Sequence, residues 1–345
     1  MEGKGLKMKA GKFLTLAIET SCDETSVAVM ADGREVLSNV ISSQIEIHQP
    51  YGGVVPEIAS RHHLDNINYV LAEALALADV GFGDMDLVGV THGPGLVGAL
   101  LIGLSTAKAV AYAAKLPLVG VHHIQGHICA NYIEHKSLEP PFLAMVVSGG
   151  HTNIIDVTGY NEYAILGRTR DDAAGEAFDK VARVLGLGYP GGPNIDRIAR
   201  QGDPHAVEFK RVYLEKDSYD FSFSGIKTGV LNYLNTHRSK GEDVDIADVA
   251  AGFQLAVVEV IVAKAVQAAV AQKREKVVLA GGVAANSLLR QLLGEACRRE
   301  GLELLYPSPA FCTDNAAMIG CAAYYRYKAG FVDDMTLDAY PGLRL

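Results

Sequence analysis

The feature that most constrains the fold of this chain is an internal repeat. Residues 141–158 (PFLAMVVSGGHTNIIDVT) follow the pattern of residues 13–30 (FLTLAIETSCDETSVAVM). Each segment is an apolar run, a polar turn and a second apolar run that begins after a threonine, which predicts two strands joined by a turn. A repeat of this kind indicates a duplicated fold. We therefore expect two lobes that each open with a β-meander.

The rest of the chain alternates short β-branched segments with longer helical patterns, which is typical of an α/β protein. Strands are predicted at residues 13–19, 25–30, 35–42, 87–91, 117–121 and 276–280. A helix is predicted to follow Pro56 and to run through residues 62–77. Further helices are predicted at residues 96–114, 172–185, 193–201, 224–235, 245–272 and 284–300, with a last helix after Thr313.

Two such lobes around a central nucleotide cleft describe the duplicated actin-like ATPase architecture, which is related to ribonuclease H. Residues 1–12 are expected to be a flexible extension. Residues 13–120 with 310–345 are assigned to the first lobe, and residues 121–309 to the second lobe, which carries a helical insertion.

Composition excludes several classes of protein. The 31 basic and 40 acidic residues give a net charge of −9, so RNA binding would need a local basic patch. The basic residues considered for such a patch are equally well explained as solvated surface charges: Arg61, Lys273, Arg274 and Lys276.

The five cysteines form no CxxC pair, which argues against a disulfide framework and fits a reducing cytoplasm. The apolar run at residues 13–18 is shorter than the apolar region of a secretory signal. The longest run elsewhere, residues 95–107, is shorter than the ~20 residues of a membrane span. We predict a cytoplasmic protein with no membrane attachment.

His123 and His127 are spaced so that both imidazoles lie on one face of a helix and can reach one metal ion. Spacing alone does not separate this from two unrelated core histidines. Ile124 replaces the glutamate of an HExxH protease motif, which argues against a metalloprotease. His122 lies off this face and is expected to pack or to form a hydrogen bond. Asp314, before the last helix, is either the third metal ligand or an N-cap.

Two glycine-rich segments suggest contacts with an anion or a nucleotide. The Ser148-Gly149-Gly150 turn is either a backbone anion site or a plain hairpin turn. Asn286, in GGVAAN, either contacts a nucleotide or caps a helix. The carboxylates of Asp179 and Asp196 either accept ribose hydroxyls or oppose a helix dipole.

Ten segments in order resemble the TsaD family of tRNA N6-threonylcarbamoyladenosine transferases, from about Phe13 to Lys328. They are IETSCDET, YGGVVPEIASR, GPGLVGAL, HHIQGH, VSGGHT, DDAAGEAFDK, YPGGP, FSFSGIKT, GGVAAN and CTDNAAMIG. The resemblance implies an actin-like fold and transfer of threonylcarbamoyl from threonylcarbamoyl-AMP to N6 of adenosine 37, in tRNAs that read ANN codons.

The resemblance also implies the site residues and the partners. His123, His127 and Asp314 match the ligands of one divalent metal ion, with Fe²⁺ expected and Zn²⁺ as the alternative. The positions that match the adenylate site are Val146, Val147, Ser148, Gly149, Gly150, Asp179, Gly192, Asp196 and Asn286. The implied partners are tRNA, a TsaB-like paralogue and a TsaE-like ATPase.

The chemistry of this reaction limits what the residues must do. A carbamoyl–phosphate anhydride has a good leaving group, so no covalent protein nucleophile is needed, and Cys22, with no histidine beside it, is not expected to be one. A Lewis acid and fixed dipoles would stabilise the developing charge. A carboxylate of the first turn, Glu19 or Asp23, is the expected acceptor of the amine proton.

Three other functions remain alternatives. A sugar kinase or ATPase of the same fold would have no use for the histidine pair. A carbamoyltransferase acting on a small molecule would share several of the motifs. A non-enzymatic scaffold should lack both histidines and Asp314, and this chain has all three.

Overall fold

The computed structural model describes residues 11–215 and 218–345. The predicted extension at residues 1–12 therefore lies outside the described residues, apart from Gly11 and Lys12. The chain divides into two compact units, one up to Glu139 together with Pro307–Leu345 and the other Pro140–Tyr306.

The first unit contains a five-stranded sheet. Its strands are β1 (Leu14–Glu19), β2 (Glu24–Ala31), β3 (Glu35–Ser43), β4 (Leu87–Gly93) and β5 (Leu118–His122). Their order is β3-β2-β1-β4-β5. The meander β1–β2–β3 is antiparallel, and β4 and β5 add to β1 in parallel.

The helices of the first unit are α1 (Ile45–His48), α2 (Pro56–Leu77), α3 (Val97–Ala114), α4 (His123–Glu134), α10 (Pro309–Cys312) and α11 (Ala316–Lys328). Leu16 and Ile18 of β1 belong to the apolar cluster formed with α2 and α3. Ala17 faces the other way, because a Cβ on Gly320 of α11 would lie 3.1 Å from its Cβ. Helices thus cover both faces of the sheet, as the alternation of strand side chains requires.

The second unit repeats this strand order. Its strands are β6 (Phe142–Val147), β7 (Thr152–Gly159), β8 (Glu162–Arg168), β9 (Lys276–Ala280) and β10 (Glu303–Leu305). The antiparallel meander β6–β7–β8 is extended by β9 and β10 in parallel beside β6. Its helices are α5 (Ala174–Val184), α6 (Gly191–Ala199), α7 (Ser224–Lys240), α8 (Ile246–Ala271) and α9 (Ser287–Arg299).

The predicted strands and long helices are confirmed, with ends that differ by a few residues, and the helix expected after Pro56 runs from Pro56 to Leu77. The boundary between the units differs from the expected one. Residues 121–139 were assigned to the second lobe, but α4 packs against α11 and therefore belongs to the first unit. The position of α4 in the first unit depends on its contacts with α11, a helix almost 200 residues later in the chain. A local sequence pattern does not predict such contacts.

Two described helices, α3 and α8, are long and apolar enough to span a membrane by length and composition alone. Both pack on their own units: α3 lies on β4 and α2, and α8 on α6 and α9. Helices of soluble proteins meet the same criterion. The most apolar window of α8 is 72% buried, as in a core helix, whereas that of α3 is 33% buried, as in a helix with one face on the sheet.

Candidate functional site

The structure brings the three predicted metal ligands together within the first unit. His123 and His127 lie on α4, and Asp314 lies between α10 and α11. The Oδ1 atom of Asp314 is 3.2 Å from Nε2 of His127 and 3.5 Å from Nε2 of His123. One ligand atom from each residue lies within 4.8 Å of the other two. A side-chain set of two imidazoles and one carboxylate is typical of a divalent transition-metal site.

His127 provides a test of whether a cation fits this cluster. Its ring is 1% exposed, and among the described residues its Nε2 makes no well-aligned hydrogen bond, although Oδ1 of Asp314 lies 3.2 Å away. A buried imidazole nitrogen without a hydrogen bond is costly, so Nε2 needs a ligand. Because Nε2 faces the carboxylate of Asp314, a cation between them would satisfy both groups. The residues therefore fit a metal ion.

The alternative role of Asp314 as a helix cap is not the one the structure shows. The N-cap of α11 is Asn315, whose Oδ1 accepts a hydrogen bond from the backbone N–H of Met318 at 3.1 Å. The first two N–H groups of the helix, those of Ala316 and Ala317, donate to the hydroxyl of Ser26 and to Oδ1 of Asn39. Since these residues satisfy the helix terminus, the carboxylate of Asp314 is not needed there as a cap.

Close packing of α4 against α11 sets the distance between the ligands. A Cβ on Gly126 would lie 2.7 Å from Cδ1 of Ile319, so a larger residue there would have to displace the end of that side chain. At the far end of α4, Glu134 accepts a hydrogen bond from the backbone N–H of Ser308 at 3.0 Å. The expectation for His122 is confirmed: its Nδ1 accepts a hydrogen bond from the backbone N–H of Ile124 and caps α4.

The first turn places Glu19 beside the metal ligands. Its carboxylate is buried and lies 3.2 Å from Nδ1 of His123. Burial raises the pKa of Glu19, but the nearby His123 outweighs this and lowers it overall. Burial likewise lowers the pKa of His123, whereas Asp314 and Glu19 raise it, to about 9. Glu19, His123, His127 and Asp314 therefore form one cluster of neighbouring ionisable groups.

The other groups of the first turn carry a dense negative charge. Asp23 is 6% exposed, and Glu24 is half-buried beside it. Burial, together with the charges of Asp23 and Asp314, raises the pKa of Glu24 well above its ordinary value. Burial and the same carboxylates raise the pKa of the Cys22 thiol, which agrees with the expectation that it is not a nucleophile.

The glycine-rich turn of the second unit is open. Val146 and Val147 are fully buried in β6, whereas Gly149 and Gly150 are exposed, with no heavy atom within 4 Å of a Cβ built on either. Ser148 closes the turn through a backbone hydrogen bond to the carbonyl oxygen of His151 at 2.8 Å. Exposed backbone on a rigid turn is suited to binding an anion.

Two further glycines lie against this turn. A Cβ on Gly175, at the start of α5, would lie 2.6 Å from the carbonyl oxygen of Ser148. A Cβ on Gly281, after β9, would lie 2.4 Å from that of Val147. The structure therefore groups the Ser148 turn, the start of α5 and the loop after β9.

The remaining predicted residues of the second unit are already engaged in the protein. Asp179 accepts a hydrogen bond from the backbone N–H of Gly191 at 2.7 Å, beside Gly192. Asp196 is bonded to Ser287 and Arg200. The cap interpretation of Asn286 is confirmed, because its Oδ1 accepts from Leu289 N at the start of α9.

Among the basic residues considered for RNA binding, Arg274 has a structural role. Its guanidinium binds Asp156 through two hydrogen bonds, of 2.6 and 2.8 Å. Arg61 and Lys273 are exposed. Sequence reasoning missed Gly126, Gly175 and Asn315, although the position of each glycine at or within a helix start is a usable signal for close packing.

Comparison with known proteins shows which family the sequence matches. The family model described as TsaD: tRNA N6-adenosine threonylcarbamoyltransferase matches residues 35–321. A protein of that name from Clostridioides difficile is 58% identical over 333 residues, 96% of this chain and 98% of that protein. One from Clostridium beijerinckii is 55% identical over 334 residues, 97% of this chain and 98% of that protein.

Solved structures with low sequence identity show the fold. Full-length HypF, in a phosphate- and nucleotide-bound form, superposes with a TM-score of 0.61 at 15% identity, covering 93% of this chain and 46% of that one. Component A of (R)-2-hydroxyglutaryl-CoA dehydratase from Acidaminococcus fermentans gives 0.55 at 18% identity, covering 92% and 98%. The predicted actin-like α/β fold is confirmed. Because the family model matches residues 35–321, most of this chain, and relatives named for the family are more than 50% identical to it, the chain belongs to the TsaD family.

Proposed function

We propose that this protein transfers the threonylcarbamoyl group from threonylcarbamoyl-AMP to N6 of adenosine 37 in tRNAs that read ANN codons, releasing AMP. Family membership supports the reaction. The observation that carries the proposal is the meeting of His123, His127 and Asp314 within 4.8 Å, with Asn315 serving as the helix cap. A sugar kinase gives no reason for that cluster.

The proposed reaction needs no covalent intermediate with the protein. The N6 nitrogen forms a bond to the carbamoyl carbon, the bond from that carbon to the phosphate oxygen breaks, and AMP leaves with both electrons. The N6 proton passes to a carboxylate of the first turn. Between the two candidates, we propose Asp23 as the acceptor, because both oxygens of Glu19 already accept hydrogen bonds inside the protein.

We propose that His123, His127 and Asp314 hold the divalent ion and that the exposed Ser148-Gly149-Gly150 turn, with Asp179, Gly192, Asp196 and Asn286 behind it, binds the adenylate. A bound ion would supply Lewis acidity toward an acyl or phosphate oxygen. Two histidines and one carboxylate that leave open positions favour Fe²⁺, and Zn²⁺ is compatible with the same ligands.

The anticodon loop is accessible single-stranded RNA, which suits a base that must leave the stack to react. With a net charge of −9, this chain is expected to bind tRNA with help from partners. We propose a TsaB-like paralogue and a TsaE-like ATPase as those partners, and a cytoplasmic location consistent with five free cysteines.

Reconstitution with threonylcarbamoyl-AMP, unmodified tRNA and the partner proteins tests the proposal. Wild type should convert adenosine to the modified nucleoside, measured by mass spectrometry of digested tRNA. His123→Ala and Asp314→Ala should each lower the rate at least about 100-fold, since loss of even an outer-shell partner of a metal site costs about 10–100-fold. Glu139→Ala, an exposed carboxylate in a loop, is the matched control and should match wild type.

Equal rates for all four proteins would reject the metal-centred proposal. Transfer to small amines at the rate seen with tRNA would instead favour a small-molecule carbamoyltransferase. Consumption of ATP coupled to a hydroxyl substrate, without the adenylate, would favour a kinase.

A further inference from the structure

Glu19 is a fully buried carboxylate whose contacts are all internal. Its Oε1 accepts a hydrogen bond from the backbone N–H of Ser21 at 2.5 Å, and its Oε2 accepts one from the hydroxyl of Thr91 at 2.6 Å. Oε2 also lies 3.2 Å from Nδ1 of His123. A carboxylate that takes a proton from a substrate needs an oxygen that the substrate can reach. Neither oxygen of Glu19 meets that condition.

The sheet itself brings these groups together. Glu19 is the last residue of β1, Thr91 lies near the end of β4, and His123 directly follows β5. The three strands are parallel neighbours in the order β1-β4-β5, so their carboxyl ends meet at one edge. The contact between Glu19 and His123 is therefore fixed by strand pairing, which is more rigid than a contact between loops.

The groups around Nδ1 decide which nitrogen of His123 is available to a metal. They are the carboxylate of Glu19 and the hydroxyl of Ser21, which is 3.1 Å from Nδ1. An imidazole must be neutral to bind a metal, and it then carries one N–H and one lone pair. With Nδ1 donating to the carboxylate of Glu19, the lone pair is on Nε2, the atom that lies 3.5 Å from Oδ1 of Asp314. Carboxylates that hold the second nitrogen of a metal-binding histidine orient the ring and strengthen it as a ligand.

We propose that Glu19 is a positioning residue: it holds the proton on Nδ1 of His123 and thereby sets the affinity of the His123–His127–Asp314 cluster for a divalent cation. The inference rests on the proposed metal centre. In this proposal Glu19 does not accept the N6 proton of the substrate, and Asp23 remains the proposed acceptor.

Glu19→Gln is a sharp test because it keeps the shape and changes the hydrogen bonding. Glutamine has only one acceptor oxygen. We expect that oxygen to accept the hydrogen bond from the backbone N–H of Ser21, because this donor cannot rotate away. The NH₂ group then faces His123 and Thr91, where the threonine hydroxyl can rotate to accept. Nδ1 of His123 then faces an N–H donor and the hydroxyl of Ser21, 3.1 Å away, in place of a carboxylate. Loss of the carboxylate favours the tautomer with its proton on Nε2, which has no lone pair on the side of Asp314. We expect the dissociation constant for the cation to rise about 10–100-fold.

The measurement is metal binding by the full-length protein, made with Co²⁺ and Zn²⁺ in competition with a chromophoric chelator. The d–d absorption of bound Co²⁺ reports the ligand geometry, and thermal unfolding reports the fold. At saturating metal, the rate of tRNA modification by Glu19→Gln should return to within several-fold of wild type. If Glu19 took the substrate proton, the rate would stay low with the site full, and the proposal would be overturned.

Two further sets of variants distinguish a loss of metal affinity caused by the position of His123 from one caused by a less stable fold. Thr91→Val removes one donor to Glu19 and should weaken Co²⁺ binding by less than Glu19→Gln, whereas Thr91→Ser keeps the hydroxyl and should restore it. Asp156→Asn breaks the buried pair with Arg274 in the second unit. It should lower stability without changing the affinity for Co²⁺.

Each outcome bears on a distinct claim. A dissociation constant for Glu19→Gln within twofold of wild type overturns the role of Glu19. Should that variant not fold, equal constants for Thr91→Val and Thr91→Ser overturn it. Equal metal binding by wild type, His123→Ala and Asp314→Ala would reject the metal centre itself, and this inference with it.

Discussion

The two units have the same strand order, yet the turn after the first strand carries acidic side chains in one unit and exposed glycine backbone in the other. In the first unit Glu19 pairs with Ser26, and residues 20–25 lie between them. In the second unit Val147 pairs with Thr152, and only residues 148–151 lie between. The longer first turn carries buried carboxylates, whereas the shorter second turn exposes Gly149 and Gly150.

The loops after the fourth and fifth strands extend this contrast. In the first unit, β5 leads into a helix whose first turns supply two imidazoles. In the second unit, the fifth strand β10 leads back to the first unit at Pro307, and the glycines Gly281 and Gly282 follow the fourth strand, β9. One unit thus offers side chains suited to a cation, and the other offers backbone suited to an anion. The shared topology determines where the loops lie, and the side chains determine which charge each loop can bind.

One feature is common to both units: a glycine after the strand beside the first strand lies against the first turn. A Cβ on Gly95 would lie 2.6 Å from the carbonyl oxygen of Ser21, and one on Gly281 would lie 2.4 Å from that of Val147. Gly281 also has a φ of +90°. The comparison therefore predicts that substitution is harmful in both units and more so in the second.

Gly281→Ala is expected to cause the largest loss of stability, about 2–4 kcal/mol, from backbone strain together with overlap against Val147. Gly95→Ala should cost about 1–3 kcal/mol from overlap alone. Urea unfolding measures both. Gly282→Ala is the matched control, because a Cβ there meets nothing within 4 Å, and it should change the free energy of unfolding by less than about 0.5 kcal/mol. A cost for Gly282→Ala equal to that for Gly281→Ala would show that the close approach is not what requires glycine.

The threonine that follows each turn gives a second paired prediction. The hydroxyl of Thr25 donates to Nδ1 of the buried His63 at 2.7 Å, because Nε2 of that ring donates to the carbonyl oxygen of Cys22. The hydroxyl of Thr152 accepts from the backbone N–H of Ala174 at 2.9 Å. In both units, the threonine thus ties the turn to a helix.

Thr25→Val and Thr152→Val should each lower the free energy of unfolding by about 1–3 kcal/mol, because each leaves one buried polar group without its partner. Thr25→Ser and Thr152→Ser retain the hydroxyl and should recover most of the loss. A large cost in only one unit would mean that the duplication has kept the residue without keeping its role.

The sequence predicted the parts of the site that depend on local spacing. His123 and His127 are four residues apart, and a helix brings such residues together wherever it packs. The contact between Glu19 and His123 was not predicted, because it depends on the order in which β1, β4 and β5 pair. Asn315 was missed as the cap of α11 because Asp314 beside it is an equally good cap by type.

Long-range packing explains the other differences. Arg274 looks like a surface charge in sequence, since its partner Asp156 is 118 residues away. Short elements such as α1, α10 and β10 have too few residues for a periodic pattern. Their positions follow from the neighbours they contact.

The insertion at residues 200–245 is the clearest departure of the second unit from the first, and Asp171 attaches it. The Asp171 carboxylate accepts hydrogen bonds from the hydroxyls of Ser222 and Ser224, at 2.5 and 2.8 Å, and from the backbone N–H of Phe223 at 2.8 Å. Burial raises the pKa of Asp171, but these hydrogen bonds outweigh it and hold the pKa below its ordinary value.

This lowered pKa predicts the smallest effect and its pH dependence. A carboxyl with a lower pKa in the folded state than in the unfolded state stabilises the fold above its unfolded pKa, near 4, and loses that contribution as the pH falls through its folded pKa. Because Asp171 is exposed, solvent screens its charge, and Asp171→Asn should cost less than about 1 kcal/mol at pH 7 and progressively less below about pH 4. Urea unfolding of both proteins at several pH values measures the difference, with the exposed Asp65→Asn as control. A difference that is constant with pH would mean that the ionised carboxylate does not hold the insertion, and that the insertion docks through Phe221 and its backbone bonds to Arg168 and Arg170 instead.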